Sequence, residues 1–323
     1  MTDTPGAHPF FHGRRCLVAG GTGFVGTHFV QALLAAGAQV RVPLHLRPPV
    51  IQDSRVEWVS ADLTQREDCL RVMDGIEMVV HAAGSVGAAG VEPQDALLGI
   101  GTGLTLTSNL LWAAWTKGVG RVLVFSSSTG YPVTDHPVTE GEFWSGLPHP
   151  AYHGYGWMRR YVERLAEYTA ERSGMHMTIV RPGAIYGRYD NFSPTTGHVM
   201  AGLILRALER GNPFTVWGTG DEERDFLHVS DFVRGCLIAV EKGDSCDPIN
   251  IASGESTTVR QLVEMVLDAC DYRQAAIIFD PTRPTAIPKR LIDTGKARRL
   301  GFVPCVTLTD GLADTVRWLR ETH

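Results

Sequence analysis

Three side chains carry the first chemical suggestion in this 323-residue chain: Ser127, Tyr155 and Arg159. Tyr155 and Arg159 are four apart in a stretch with helical periodicity, so they share a face. An ordinary phenol titrates near pH 10, so proton exchange near neutrality needs a cation close by. A guanidinium one helical turn away supplies one. Ser127 follows the apolar run Arg121-Val122-Leu123-Val124-Phe125, which reads as a buried strand whose end presents side chains to a cleft. The plain alternative for Tyr155 and Arg159 is an exposed helix pair without chemistry.

Such a constellation needs a cofactor, and the front of the chain offers a place for one. Arg14-Arg15-Cys16-Leu17-Val18-Ala19 reads as a strand that runs into Gly20-Gly21-Thr22-Gly23-Phe24-Val25-Gly26. An amphipathic stretch, Thr27 to Ala36, follows, and Gln39 to Val42 is a second strand. Within a strand–turn–helix–strand unit, Gly20 permits the tight turn, Gly23 lets backbone approach a pyrophosphate, and Gly26 lets the helix close on the strand. The helix start, at Phe24 and Val25, turns unpaired N–H groups toward the phosphates. Without a ligand the same glycines would make only a structural turn. About 17 residues after Gly26 stands Pro43, flanked by Arg41, His45 and Arg47 and by no carboxylate. This favours NADP over NAD, because nothing repels a 2′-phosphate; two solvated loop arginines are the other reading. Asp62-Leu63 after a strand at Val56 to Val59, and Ala82-Ala83 after Glu77 to His81, are further candidate cofactor contacts.

Composition fits this picture. Thirty basic and 35 acidic side chains give a net charge of −5 without a basic stripe, so neither nucleic acid nor an anionic membrane is expected as a partner. No apolar run approaches the roughly 20 residues of a spanning helix, and no signal peptide is expected at the N-terminus; the expectation is a cytoplasmic protein. The six cysteines are scattered and expected to be reduced. His149 and His153 lie among prolines, and no metal site is expected. There are 35 glycines, well above the roughly 7% average, which calls for a structural reason.

Further strand runs at Met177 to Arg181 and Pro248 to Ala252 alternate with helical patterns at Leu104 to Lys117, Tyr155 to Arg172 and Asp231 to Glu241. The sequence thus predicts an α/β fold: a Rossmann-type doubly wound parallel sheet with a smaller α/β substrate-binding domain. Residues 1–182 and 228–258 are assigned to the dinucleotide-binding domain, and 183–227 and 259–323 to the substrate domain. The stretch 183–227 is less regular, with Tyr, Asn, His and glycine-rich loops, while Val259 to Cys270 and Leu312 to Arg320 read as helices. Trp112 and Trp115 are either core or a subunit seam.

The glycine turn, the serine-rich strand end before Tyr131-Pro132 and the Tyr155 helix resemble the extended short-chain dehydrogenase/reductase superfamily. Ile185 to Phe192, Gly197-His198-Val199, and Val216-Trp217-Gly218-Thr219-Gly220 through Arg224 to Asp231 are similar to GDP-fucose synthases and related nucleotide-sugar epimerases. The resemblance implies an NAD(P)-dependent epimerase or 4-ketoreductase acting on a nucleotide-diphosphate sugar. It implies that Ser127 bonds the sugar oxygen, Tyr155 is the general acid/base, and His198 is a second acid/base. Arg159 stands where that family has a lysine that bonds the nicotinamide ribose. Ser128, Thr129, Trp217, Arg206, Arg224 and Arg290 fall at substrate positions, the arginines to hold the diphosphate. For Arg224, an ion pair with Asp221, Glu222 or Asp225 is the alternative. Thr129 replaces a cysteine that serves as a base in GDP-fucose synthases, and a hydroxyl is a far poorer base; this counts against a double epimerisation. A homodimer through the Leu104–Lys117 and Tyr155 helices is implied as well. The competing reading is a short-chain dehydrogenase fold that has lost its chemistry and acts as an NADP-binding regulator or redox sensor, with Arg159 as its support.

Overall fold

The computed structural model describes residues 9–84, 93–193, 197–283 and 287–322. Its first half is a run of βα units: β1 (Arg15–Ala19), α1 (Phe24–Ala35), β2 (Gln39–Leu44), β3 (Val56–Ser60), α2 (Arg66–Val72), β4 (Met78–His81), α3 (Pro93–Thr116), β5 (Arg121–Phe125), α4 (His153–Ser173) and β6 (His176–Pro182). The second half adds β7 (Ala184–Tyr186), α5 (Val199–Leu208), β8 (Phe214–Trp217), β9 (Glu223–Arg224), β10 (Phe226–His228), α6 (Val229–Lys242) and β11 (Ile249–Ile251). It closes with β12 (Thr257–Thr258), α7 (Val259–Ala269), β13 (Ile277–Asp280), β14 (Lys289–Arg290), α8 (Gly295–Arg299) and α9 (Leu308–Thr322).

Seven parallel strands form the main sheet in the order β11-β6-β5-β4-β1-β2-β3. Because side chains alternate along a strand, both sheet faces must be apolar for both to be covered. Cys16 and Val18 enter one core with Phe29, Leu33, Phe232 and Cys236 from α1 and α6. Leu17 and Ala19 enter the other with Leu110, Ala114, Val162 and Ala166 from α3 and α4. The strand order reverses between β1 and β4, which opens a crevice at their carboxyl ends. The sequence-derived fold class is thus the observed one.

Two expectations are corrected. The stretch 183–227 is not loop alone, for it holds α5, whose Met200, Leu203, Ile204 and Ala207 build a third core with α7 and α9. Its ten residues were masked by the polar, glycine-rich flanks. The second correction is the domain boundary. Ala297 and Phe302 lie in the α1/α6 core, so the α8 region packs on the cofactor side instead of belonging to a continuous substrate segment 259–323.

Helix α3 also departs from the hydropathy reading. Its stretch Gln94–Thr116 is long and apolar enough, by length and composition, to cross a membrane, with a mean hydropathy of 1.2. The interspersed Gly, Thr and Ser residues hide this in a search for unbroken apolar runs. A core helix of a soluble protein passes the same test, and Leu110, Leu111, Ala113 and Ala114 are indeed buried against the sheet. Trp112 and Trp115 are partly exposed beside them, as are Trp157 and Tyr161 of α4.

Candidate active site

The glycine turn occupies the crevice between β1 and β4. Gly20 has φ +82°, and a Cβ there would come within 2.7 Å of the Ala82 and Ala83 backbone. At Gly26 a Cβ would lie 2.0 Å from the Gly20 carbonyl oxygen, so only hydrogen lets α1 start this close to β1. Gly23 is different, since its nearest neighbour would be the Gly20 oxygen at 3.3 Å. Crowding inside the chain thus explains Gly20 and Gly26, while Gly23, at the helix start, is less crowded but still tight. Phe24 and Val25 begin α1 there, with no acidic residue in its first turn. Positive helix-end potential and bare backbone make a cradle that fits a dinucleotide pyrophosphate.

The other cofactor candidates divide. Asp62 lies just beyond β3, where Thr64 N–H and Oγ1–H donate to its Oδ1 at 2.9 and 2.8 Å and hold its carboxyl below the usual range. Leu63 is buried, and its carbonyl accepts from Asn109. Arg47 is exposed beyond the end of β2, beside His45, whose Nε2 is 3.9 Å from Asp62 Oδ2. Arg41 does not join them. It lies inside β2 opposite Leu17, and its guanidinium donates to Glu57 at 2.8 Å and to the Val72 and Asp74 carbonyls. The reading of Arg41 as a 2′-phosphate contact is therefore withdrawn: the strand runs on to Leu44, so residue 41 falls short of its carboxyl end.

Ser127 and Tyr155 sit on neighbouring elements. A short 3-10 turn, Ser128–Gly130, follows β5, and Ser127 caps it. A Cβ at Gly156 would lie 2.7 Å from the Thr129 carbonyl, so α4 seats its glycine directly on this turn, next to Tyr155. Arg160, buried, donates from Nε to the Gly130 carbonyl at 2.9 Å and from Nη2 to Phe143 and Gly146. Beneath, Arg181 pairs with buried Glu163 and donates to the Tyr131 hydroxyl at 3.0 Å, which in turn donates to Asn250 at 2.6 Å. Arg160 and this network were not recognised from sequence, where their residues carry no motif of their own.

Arg159 reaches the phenol. Its Nη2 donates to Tyr155 Oη at 2.6 Å, its Nη1 donates to the Phe125 carbonyl at 2.9 Å, and its Cζ stands 4.8 Å from the Tyr155 ring centroid. Its Nε is buried with no protein partner, a donor left for a ligand group. Nearby at the end of β4, buried His81 bonds Thr107 Oγ1 at 2.9 Å; burial, with help from Arg159, pushes its pKa down to about 3.

The substrate candidates form two groups. His198 caps α5, and its Nδ1 is 3.2 Å from Oδ1 of buried Asp190, whose carboxylate holds the imidazole above its ordinary pKa. Arg224 and Arg290 stand side by side in register on β9 and β14. Burial pushes both guanidiniums down, Arg290 to about 10 with Arg224 beside it contributing. Arg290 donates to the Pro132 and Tyr131 carbonyls, and its Nε has no partner. Arg224 Nη1 donates to the Glu223 carbonyl. Two of the three suggested carboxylate partners accept hydrogen bonds from other groups: Glu222 from the N–H groups of Thr219 and Gly220, and Asp225 from Ser253 and Gly254. Two adjacent cations, Arg290 buried and Arg224 half-buried, without an ion pair among the described residues suit a diphosphate. Tyr152, which the sequence did not single out, lies close enough to interact with both.

Arg206 is apart from this pair; its guanidinium donates to the Gly202 and Thr215 carbonyls and covers Phe214. Trp217 is half exposed at the end of β8, with Arg283 over its ring. Ser128 is half-buried in the turn, where its carbonyl accepts from Tyr131 N–H.

Residues 16–252 match the model of the NAD dependent epimerase/dehydratase family. The dTDP-4-dehydro-6-deoxy-D-allose reductase of Streptomyces bikiniensis is 32% identical over 96% of this chain and 97% of the relative. The GDP-L-fucose synthase of Escherichia coli is 27% identical over 96% of this chain and 98% of the relative. A dTDP-glucose 4,6-dehydratase from Streptomyces venezuelae, solved with NAD bound, superposes with a TM-score of 0.84 at 28% identity, covering 95% of this chain and 97% of that one.

Proposed function

Because the chain belongs to the NAD dependent epimerase/dehydratase family, we propose that it is a ketoreductase that uses NAD(P)H to reduce a nucleoside-diphosphate-linked 4-keto-6-deoxyhexose to the alcohol. A bound nicotinamide supplies the hydride. The chain's own residues do the rest. Tyr155 delivers the proton to the oxygen that becomes a hydroxyl, and Ser127 polarises that oxygen. Arg159, always charged, stabilises the phenolate left on Tyr155. Arg224 and Arg290 grip the diphosphate, and the glycine turn at 20–26 takes the cofactor phosphates. Proton and hydride together complete the reduction of C=O to CH–OH, and Tyr155 is reprotonated from solvent.

The single observation behind this reading is the Arg159–Tyr155 contact at 2.6 Å, which keeps a cation on the phenol where a lysine was expected. It also weakens the regulator reading, whose support was the loss of that lysine. Reduction is preferred to epimerisation because Thr129 offers no base, and because a relative at 32% identity carries a reductase's name. Arg47 and His45 at the end of β2 favour NADPH. The exposed aromatic residues of α3 and α4 suit a homodimer, and a cytoplasmic location goes with this substrate class.

The test is a panel of dTDP- and GDP-linked 4-keto-6-deoxyhexoses with NADPH and NADH, read at 340 nm and by mass spectrometry of the products. Stoichiometric NADPH consumption is expected, and Tyr155→Phe should abolish turnover while nucleotide binding stays near wild type. Normal activity in Tyr155→Phe would overturn the assignment.

A further inference from the structure

Thr129 was assigned to substrate contact, yet the hydrogen bond its hydroxyl makes among the described residues goes to another side chain. Its Oγ1 donates to Ser127 Oγ at 2.9 Å, and its backbone N–H donates to the same oxygen at 3.2 Å. A serine hydroxyl has two acceptor sites and one hydrogen. Thr129 fills both acceptor sites from one residue. The backbone of the turn is held, because the Thr129 carbonyl lies under Gly156 of α4 and the next carbonyl, Gly130, is held by Arg160. Gly130 is itself pressed against Phe143, where a Cβ would come within 2.3 Å of the ring. The Thr129 N–H is thereby kept on Ser127 Oγ, and the hydroxyl adds the second bond.

We propose that Thr129 is a positioning residue: by occupying both acceptor sites of the Ser127 hydroxyl, it leaves that hydroxyl's hydrogen to be donated to the reacting carbonyl oxygen. A fixed donor matches a ketone oxygen and the negative charge that grows on it during reduction. To accept a hydrogen bond from an alcohol, Ser127 would have to reverse the bond and donate to Thr129 instead. The threonine thus biases the site toward the ketone as bound substrate. This rests on the ketoreductase reading and gives Thr129 a specific role exerted through Ser127.

Thr129→Val keeps the β-branched shape and removes the hydroxyl; Thr129→Ser keeps the hydroxyl. Steady-state rates with the keto sugar turned over by wild type, and crystal structures of both variants, form the test. The expected result is a kcat for Thr129→Val reduced about 10- to 100-fold, within the range for disturbing one donor to a developing oxyanion, with KM for sugar and cofactor unchanged. Thr129→Ser should recover most of the rate. In the crystal structures the Ser127 side chain should rotate in Thr129→Val and keep its rotamer in Thr129→Ser. A wild-type kcat in Thr129→Val overturns the proposal, and so does a loss confined to KM, which would mean direct substrate contact. If wild type reduces no keto sugar in the panel, the ketoreductase reading falls instead. The Ser127 rotamer then decides on Thr129 by itself: unchanged in Thr129→Val, it overturns the positioning role; rotated there alone, it supports it.

Discussion

Adding one methyl group at Gly26 should separate cofactor binding from the rest of the fold. The Cβ would sit 2.0 Å from the Gly20 oxygen, 2.6 Å from the Gly20 carbon and 2.9 Å from the Gly21 Cα, whereas real Cβ atoms essentially never come under 3.0 Å. All three neighbours are backbone, so no flexible side chain can swing aside. Either α1 retreats or the turn opens, by about 1 Å. Gly20 has little room to yield toward β4, because even a Cβ there would come within 2.7 Å of the Ala82 and Ala83 backbone. Overpacking of this kind costs about 1–3 kcal/mol, and a domain of this size loses roughly 2–4 °C in Tm per kcal/mol. A 1 Å displacement of a positioning element costs on the order of 100-fold in rate. Gly26→Ala is therefore expected to lower Tm by several degrees and kcat/KM by about 100-fold, with NADPH affinity, followed by fluorescence titration, falling strongly. Gly202→Ala is the matched control: it lies within α5, and a Cβ there would meet nothing within 4 Å, so Tm should hold or rise slightly. A Gly26→Ala protein that binds NADPH like wild type at unchanged Tm would refute the argument that Gly26 sets the helix against the turn.

Two further perturbations address the substrate side. Replacing Arg224 or Arg290 with Met should raise KM for the nucleotide sugar about 10- to 100-fold, as expected for one charge-assisted contact to a diphosphate, with kcat much less affected; an unchanged KM would remove that residue from the diphosphate site. Asp190 holds the His198 pKa above its ordinary value, so the pair adds stability that is fully present below the unfolded-state pKa near 6.5 and disappears as pH rises through the higher folded-state value. The Tm difference between wild type and Asp190→Asn should accordingly be larger at about pH 5.5 than at about pH 9, and a flat or opposite dependence would count against the pair.

Most of the cofactor half was legible in the sequence because its signals are local. β1 to β6 and the glycine turn are runs of adjacent residues with a period or a spacing, and Gly20 and Gly26 could be assigned from position alone. The substrate half was less legible. Helix α5 lies between polar, glycine-rich segments, and its apolar face makes sense only against α7 and α9. The Arg224–Arg290 pair joins residues 66 positions apart through two-residue strands, too short to leave a pattern.

By itself, the sequence determined the doubly wound class, the glycine turn between β1 and α1, and the placing of Tyr155 and Arg159 on one helix face. These depend on chain-local periodicity and on residue chemistry. Tertiary structure decided which side chains were available to use. It closed Arg41 onto Glu57 and two carbonyls, and engaged Glu222 and Asp225 with backbone and side-chain donors other than Arg224. It set the Thr129 hydroxyl against Ser127 Oγ. Each outcome depends on hydrogen-bond partners brought in from other elements or fixed by turn geometry, and a buried donor takes the acceptor that packing supplies.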